Sequence, residues 1–206
     1  MGNIISWSGG KDSTATIILA HELGIPIDAV VIALIYFDKE RGIYAADPDH
    51  IEWLMGFAVP KIRSWGYNIN IYEARHDYMY YFNGVVRKSK NKTKNGKKRG
   101  FLIGGMCKLT AEKQSTIKRI DRDHKGDTHI VGICSDEPGR IERMIRRGQR
   151  SILSENGFTQ EDARRICEEY GLLSPIYRKH GRDGCWFCPN ASIKHYARLK
   201  TERPDL

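Results

Sequence analysis

Ser8-Gly9-Gly10-Lys11-Asp12-Ser13 follows the apolar run Ile4-Ile5-Ser6-Trp7 and precedes Thr14-Ala15-Thr16-Ile17-Ile18-Leu19-Ala20-His21, whose apolar residues recur at helical spacing. A strand, a glycine-bearing turn and a helix start thus fall in close succession. Gly9 and Gly10 let the backbone approach a ligand closely. The amides of Gly9 to Ser13 then face a cup at the positive end of the helix dipole. Ser8 and Ser13 add hydroxyl groups, Lys11 adds a mobile positive charge, and Asp12 is suited to orient Lys11 or a Mg²⁺ ion. A Gly-Gly turn that merely capped a helix would not need both serines, the lysine and the aspartate. The stretch is expected to hold phosphate.

Outward from this loop, elements alternate. Asp28 to Tyr36 is a continuous apolar run, the mark of a strand buried on both faces. Asp47-Pro48-Asp49-His50 opens a helix running toward Trp65-Gly66, with Pro60 set to kink or divide it. Asn68 to Tyr72 alternates like a short strand, Leu109 to Asp123 reads as a helix, and His129 to Cys134 as another buried strand before a helix through Arg147. This order predicts an α/β fold, a parallel sheet with helices on both faces, over residues 1–150. Ligands in such sheets lie beyond the carboxyl ends of the strands, where Ser8 to Ser13 fall.

The chain has 206 residues, a net charge of +9 and five cysteines. No run of eighteen apolar residues occurs, and no basic-then-apolar leader precedes the first strand, so a cytoplasmic protein without a membrane span is expected. Met1-Gly2-Asn3-Ile4-Ile5-Ser6 matches the crude acylation pattern, but Ile4 and Ile5 are better used in a strand. The basicity is local. Residues 87–99 hold eight Lys or Arg and no carboxylate, and the rest of the chain is close to neutral. This segment reads as a solvated, mobile loop, either a plain surface insertion or a site for the phosphates of a nucleic acid.

From about residue 150 the character changes. Thr159-Gln160-Glu161-Asp162 is a capping-box start for a helix that Gly171 stops. Beyond Pro175 and Tyr177 comes Gly184-Cys185-Trp186-Phe187-Cys188-Pro189. Residues 151–206 are read as a small cysteine-bearing subdomain folded over the nucleotide cleft. Two thiolates on one turn can grip an ion or the edge of a cluster. Cys107, in Gly104-Gly105-Met106-Cys107-Lys108, is the best third ligand, with Cys134, His180 or His195 as the fourth. Cys167 reads as buried packing.

The loop lacks the G-x-x-x-x-G-K-[ST] spacing. Ser-Gly-Gly-Lys-Asp-Ser after the first strand instead resembles the PP-loop of the ATP pyrophosphatase superfamily, the adenine nucleotide alpha-hydrolase-like proteins. The later features are a cysteine-lysine pair before a helix, a Gly-Ile strand leading to Asp-Glu and arginine, and Gly-Cys-x-x-Cys-Pro. They resemble the phosphoadenosine phosphosulfate reductase branch, which includes sulfate adenylyltransferase small subunits and DNA phosphorothioation proteins. The resemblance implies a Rossmann-like sheet and cleavage of ATP between its α and β phosphates. It also implies a role for Asp38 near the adenosine, and a [4Fe–4S] cluster on Cys107, Cys185 and Cys188, with Zn²⁺ or no metal as alternatives. The tail from Leu199 to Leu206 has no cysteine, and the intact loop favours ATP, so direct reduction of phosphoadenosine phosphosulfate is disfavoured.

Ser135-Asp136-Glu137-Pro138-Gly139-Arg140 follows the fourth strand and should reach the same cleft edge. Asp136 or Glu137 can hold Mg²⁺, while Arg140 and Arg143 can neutralise charge developing at the α-phosphate. The plainer reading is a capped helix with exposed arginines. His76 and Asp77 are further cleft candidates. The expected function is an adenylating enzyme, with Lys11, Asp12 and Arg140 catalytic, that releases pyrophosphate for sulfur transfer to an acceptor, possibly a nucleic acid, with sulfur drawn from a donor protein. A small-molecule ligase or sulfonucleotide enzyme, and a non-catalytic nucleotide sensor, are the alternatives.

Overall fold

The computed structural model describes residues 2–86, 88, 90–98, 100, 107–179, 184–188 and 190–206. The chain begins β1 (Asn3–Ser6), α1 (Lys11–Glu22), β2 (Ala29–Leu34), and a hairpin of β3 (Tyr36–Asp38) and β4 (Ile43–Tyr44). Then come α2 (Pro48–Trp53), a π-helical turn (Leu54–Ala58), α3 (Val59–Ser64), β5 (Ile69–Glu73), α4 (Tyr78–Asn83), a 3₁₀ turn (Lys92–Lys94) and α5 (Lys108–Asp123). The remainder is β6 (Thr128–Ile130), α6 (Pro138–Arg146), α7 (Ile152–Glu155), α8 (Gln160–Glu169), α9 (Ile176–Lys179) and α10 (Ile193–Glu202).

The four expected strands form one parallel sheet in the order β5-β2-β1-β6. Ile4 pairs with Ala29 on one side and His129 on the other, and Val30 pairs with Ile69. Successive residues of a strand face opposite sides, and the core divides accordingly. Ile5, Val30, Ile32 and Ile130 pack under α1, α3, α7 and α8. Ile4, Ala29 and Val31 pack against Ile120 of α5 on the other face. Residues on both sides of position 150 thus share the main core, through Ile152, Leu153, Ala163, Ile166 and Leu172. The β3–β4 hairpin, which no sequence pattern announced, belongs to a separate aromatic cluster with Tyr78, Trp186 and Phe187. The Cys185 turn is tied there by the Trp186 amide donating to Ala45 O at 3.0 Å and its indole donating to Tyr44 O at 2.9 Å.

Two differences from expectation have local causes. The helix opened by Asp47 does pass Pro60, by widening into a π turn. The Val59 amide reaches back five residues to Leu54 O, an arrangement that admits a ring with no N–H to give. The fourth strand is shorter than His129–Cys134. After Ile130 the chain leaves β1, and the Val131 amide donates to Arg150 O at 2.9 Å. The capping box at Thr159 and Asp162 and the stop at Gly171 are as expected. Of the basic segment, the described lysines are all exposed. They sit on a tight excursion closed by Val86 N–H to Lys97 O and Gly96 N–H to Val86 O; Arg87, Ser89 and Arg99 lie outside the described residues. Among the described residues, no helix is long and apolar enough to cross a membrane.

Past Ile130 the backbone runs directly against the start of α1. A Cβ on Gly132 would stand 2.5 Å from Ser13 N and 2.6 Å from Asp12 C, distances that backbone atoms cannot relieve without moving the loop. Gly132→Ala is therefore expected to destabilise the fold by about 2–3 kcal/mol. Gly139→Ala, whose Cβ meets nothing within 4 Å, should be neutral or slightly stabilising. Urea denaturation of the two variants checks the contrast.

Candidate functional site

The Ser8–Ser13 loop leaves β1 at the sheet's topological switch, between neighbours β2 and β6. Gly9 has φ +77°, and a Cβ there would sit 2.6 Å from His50 Cε1, so the position needs glycine on both counts. The loop's carbonyls are held back one by one. Ser8 O lies 3.1 Å from His50 Nε2, and Gly10 O accepts from the Ser13 hydroxyl at 3.0 Å. Lys11 O accepts from the Cys167 thiol at 3.3 Å, and Asp12 O from the Thr16 hydroxyl at 2.8 Å. A carbonyl can only accept, so His50 carries its proton on Nε2. In the neutral ring Nδ1 then accepts from Ser174 Oγ at 2.8 Å. These four carbonyls are thus turned to partners within the protein, while the amides of Ser8, Gly10 and Lys11 donate to the Ser13, Ser8 and Tyr177 hydroxyls, groups that a ligand oxygen can replace.

The charged groups come in pairs. Lys11 Nζ is 2.5 Å from Asp12 Oδ1 and 3.4 Å from Gln160 Oε1. Arg140 donates to Glu137 Oε1 at 2.6 Å, while Glu137 Oε2 accepts the Cys134 amide at 3.1 Å. Asp12, Cys134 and Glu137 form the one group of three metal-capable residues, among those described, whose ligand atoms all lie within 4.8 Å of one another. Two carboxylates in that group are oxygen donors of the kind Mg²⁺ takes. The thiol is not: burial, reinforced by the Asp12 carboxylate 3.5 Å away, pushes the Cys134 pKa far above the usual thiol range. Burial, again with Asp12 behind it, pushes Cys167 up to about 12.

Beside the loop opens a cavity of about 730 Å³, a volume suited to a small organic ligand. Its lining brings together Ser8, Arg140 and Arg143 with Cys107, Cys185 and Cys188. Cys107 is the residue before α5, and the Cys188 amide donates to Cys185 O at 3.0 Å to make the tight turn between those two. All three thiols are half-buried and unbridged.

Other candidates fall elsewhere. Cys134 is fully buried in the main core at the loop and does not line the cavity of the other three. His195 Nε2 lies 2.7 Å from Trp186 O, and His180, like Gly104 to Met106, is outside the described residues. Asp38 accepts the Arg41 amide at 3.1 Å in the hairpin turn. Asp136 accepts the Gln160 amide at 3.3 Å, at the start of α8, which leaves Glu137 as the member of that pair beside Asp12. His76 stacks on Tyr80, and Asp77 caps α4. Three contributors lie far from the loop along the chain and no motif marks them: His50, Ser174 and Tyr177, whose hydroxyl accepts the Lys11 amide at 2.9 Å.

No family model matches the sequence, and no curated protein matches it. Among solved structures the fold is similar to that of the U34-tRNA thiolase NcsA from Methanococcus maripaludis, solved with its [4Fe-4S] cluster. The TM-score is 0.50 at 14% identity, over 98% of this chain. The chain spans 66% of that protein's length. At this identity the likeness is one of fold.

The two classes of thiol should separate chemically. In metal-free native protein at pH 8, Cys107, Cys185 and Cys188 are expected to react with a colorimetric disulfide reagent. Cys134 and Cys167 should stay silent until the chain is unfolded, since a pKa near 12 leaves roughly one thiol in ten thousand ionised at that pH. Five fast thiols in the native protein would mean that the underside of the loop is open.

Proposed function

We propose that this protein is an ATP-dependent PP-loop enzyme that cleaves ATP to AMP and pyrophosphate, adenylates an acceptor, and does so for sulfur transfer to a nucleic acid. The observation that carries this reading is the cavity beside the loop, whose lining brings Ser8, two arginines and three thiols together. The fold likeness to a tRNA thiolase points the same way.

In this reading the Ser8–Ser13 amides and hydroxyls hold the β and γ phosphates. An acceptor oxygen attacks the α-phosphorus, the bond to the β-phosphate oxygen breaks, and pyrophosphate leaves. Negative charge grows on the α-phosphate and the leaving oxygen, which Lys11 and Arg140 neutralise as they leave their carboxylate partners, with Arg143 adding to the field. The carboxylates so freed, Asp12 and Glu137, hold Mg²⁺. Sulfur at the sulfide level, supplied by a donor protein, then forms a C–S bond at the acceptor carbon as its C–O bond breaks, and the oxygen leaves with AMP. Asp38, in the hairpin after β2, is assigned to the adenosine in this reading. Residues 1–150 supply the nucleotide site, and residues 151–206 bring the cysteine turn to it.

Cys107, Cys185 and Cys188, which line one cavity with two of them on one tight turn, are the residues that would hold a [4Fe–4S] cluster. When bound, a cluster with three cysteine ligands supplies one iron without a protein ligand, open to a sulfur species. Unbridged thiols of this kind belong in a reducing cytoplasm. The exposed lysines between Lys88 and Lys98 favour a polyanionic acceptor over a small molecule.

Anaerobically purified protein given ATP, Mg²⁺, sulfide and unmodified RNA should yield AMP and pyrophosphate in equal amounts, with thiolated nucleosides detectable by mass spectrometry. Lys11→Ala should lower pyrophosphate release about 10²–10³-fold. The pair Cys185→Ala and Cys188→Ala should keep pyrophosphate release and lose the thiolated product. Formation of ADP and phosphate instead would overturn the reading.

A further inference from the structure

On the flank of α5 that faces β5 lies a second recess, of about 190 Å³, lined by Arg75, Ser115, Thr116, Lys118, Arg119 and Arg122. Four of these are cations, and none is a carboxylate. Arg119 is fixed from behind. Its guanidinium donates to Glu73 O at 2.5 Å and lies 5.6 Å over the Tyr72 ring. Arg122 touches its exposed neighbour Asp123 at 3.3 Å, while Arg75, Ser115 and Lys118 are exposed. Lys118 and Arg122 are one turn apart on the same helix, where like charges repel. The recess is well below the size of a nucleotide pocket and holds a phosphate group comfortably.

Its surroundings extend the pattern. The residue after Arg75, His76, stacks on Tyr80 with ring centroids 3.9 Å apart and 11° between planes, and Tyr80 is 56% exposed. The hydroxyl of Tyr81 donates to Glu112, which fixes α4 to α5 one turn before Ser115. The lysine-rich excursion follows α4 directly. Cations, a stacked planar pair and more cations thus succeed one another in the chain from Arg75 to Lys98, the composition of a surface that tracks a nucleic-acid strand. Along α5, Lys118 and Arg122 stand roughly 16–22 Å from Cys107.

We propose that the recess formed by Arg75, Lys118, Arg119 and Arg122 is a phosphodiester-binding site that grips the backbone of the acceptor RNA outside the reaction cavity. This rests on the nucleic-acid acceptor reading above and adds to it a second anchor, independent of the lysine-rich excursion. The test is binding of a fluorescein-labelled RNA stem-loop of about 20 nucleotides across a salt series, by anisotropy, on the full chain. The triple variant Arg75→Ala, Lys118→Ala, Arg122→Ala should bind roughly tenfold or more weakly at about 0.1 M salt. Its slope of log affinity against log salt should shrink by about 2 to 3. The charge-preserving pair Arg75→Lys and Arg122→Lys should keep the parent's slope, and both variants should melt and bind ATP as the parent does. A triple variant with the parent's affinity and slope, beside a Lys92→Ala, Lys94→Ala, Lys97→Ala variant that loses both, would overturn the second anchor alone. A parent that binds ATP but no RNA would overturn the acceptor reading and the anchor with it.

Discussion

Everything at the candidate site depends on one close approach of backbone to backbone, Gly132 against the Asp12–Ser13 peptide. The strand that launches the loop and the strand that arrives fourth in sequence are hydrogen-bonded neighbours in the sheet. Beyond their carboxyl ends the two chains converge because one of them has no Cβ. The convergence delivers Cys134, Glu137 and Arg140 to Lys11 and Asp12, residues more than a hundred positions earlier. An α/β sheet supplies the crevice at its switch point. Here the missing side chain decides how narrow it is.

Around that approach the fold sorts its cysteines by environment. Cys134 and Cys167 lie in the main core beside the loop, protonated, acting as weak donors. Cys107 and Cys185 border a different, aromatic cluster, and with Cys188 they line the cavity. The turn between Cys185 and Cys188 is anchored to the hairpin strand β4 rather than to the sheet. Two of the cavity thiols, Cys185 and Cys188, are therefore built on a small turn docked on the hairpin, apart from the main core.

The parts of the molecule legible in sequence are those written contiguously. Ser8 to Ser13 form one loop, so six adjacent letters reveal it, and the buried strands show as apolar runs. The strand after His129 was overread because its apolar run continues past the point where β1 turns away and pairing ends. The hairpin was invisible, since strands of three and two residues are too short to show alternation. His50 was equally hidden. It reads as an ordinary first-turn residue, and only the tertiary fold turns its ring onto a carbonyl 42 positions away. Between Asp136 and Glu137 the letters could not choose, because which carboxylate caps α8 and which faces Asp12 is settled by backbone direction.

The engaged carbonyls of Ser8, Gly10, Lys11 and Asp12 carry a consequence for how the site turns over. Each is anchored by a side chain, two of them from elsewhere in the chain. The loop is thus a rigid socket, ordered when the protein folds rather than when a ligand arrives. On the proposed function, exchange at such a socket would run through side chains rather than backbone, the Lys11 ammonium and the Arg140 guanidinium. Each has a carboxylate within 3 Å to return to, Asp12 for one and Glu137 for the other. In the proposed reaction the two ion pairs would serve as docks for the site's charges between cycles, so that the empty cup does not hold its product too well.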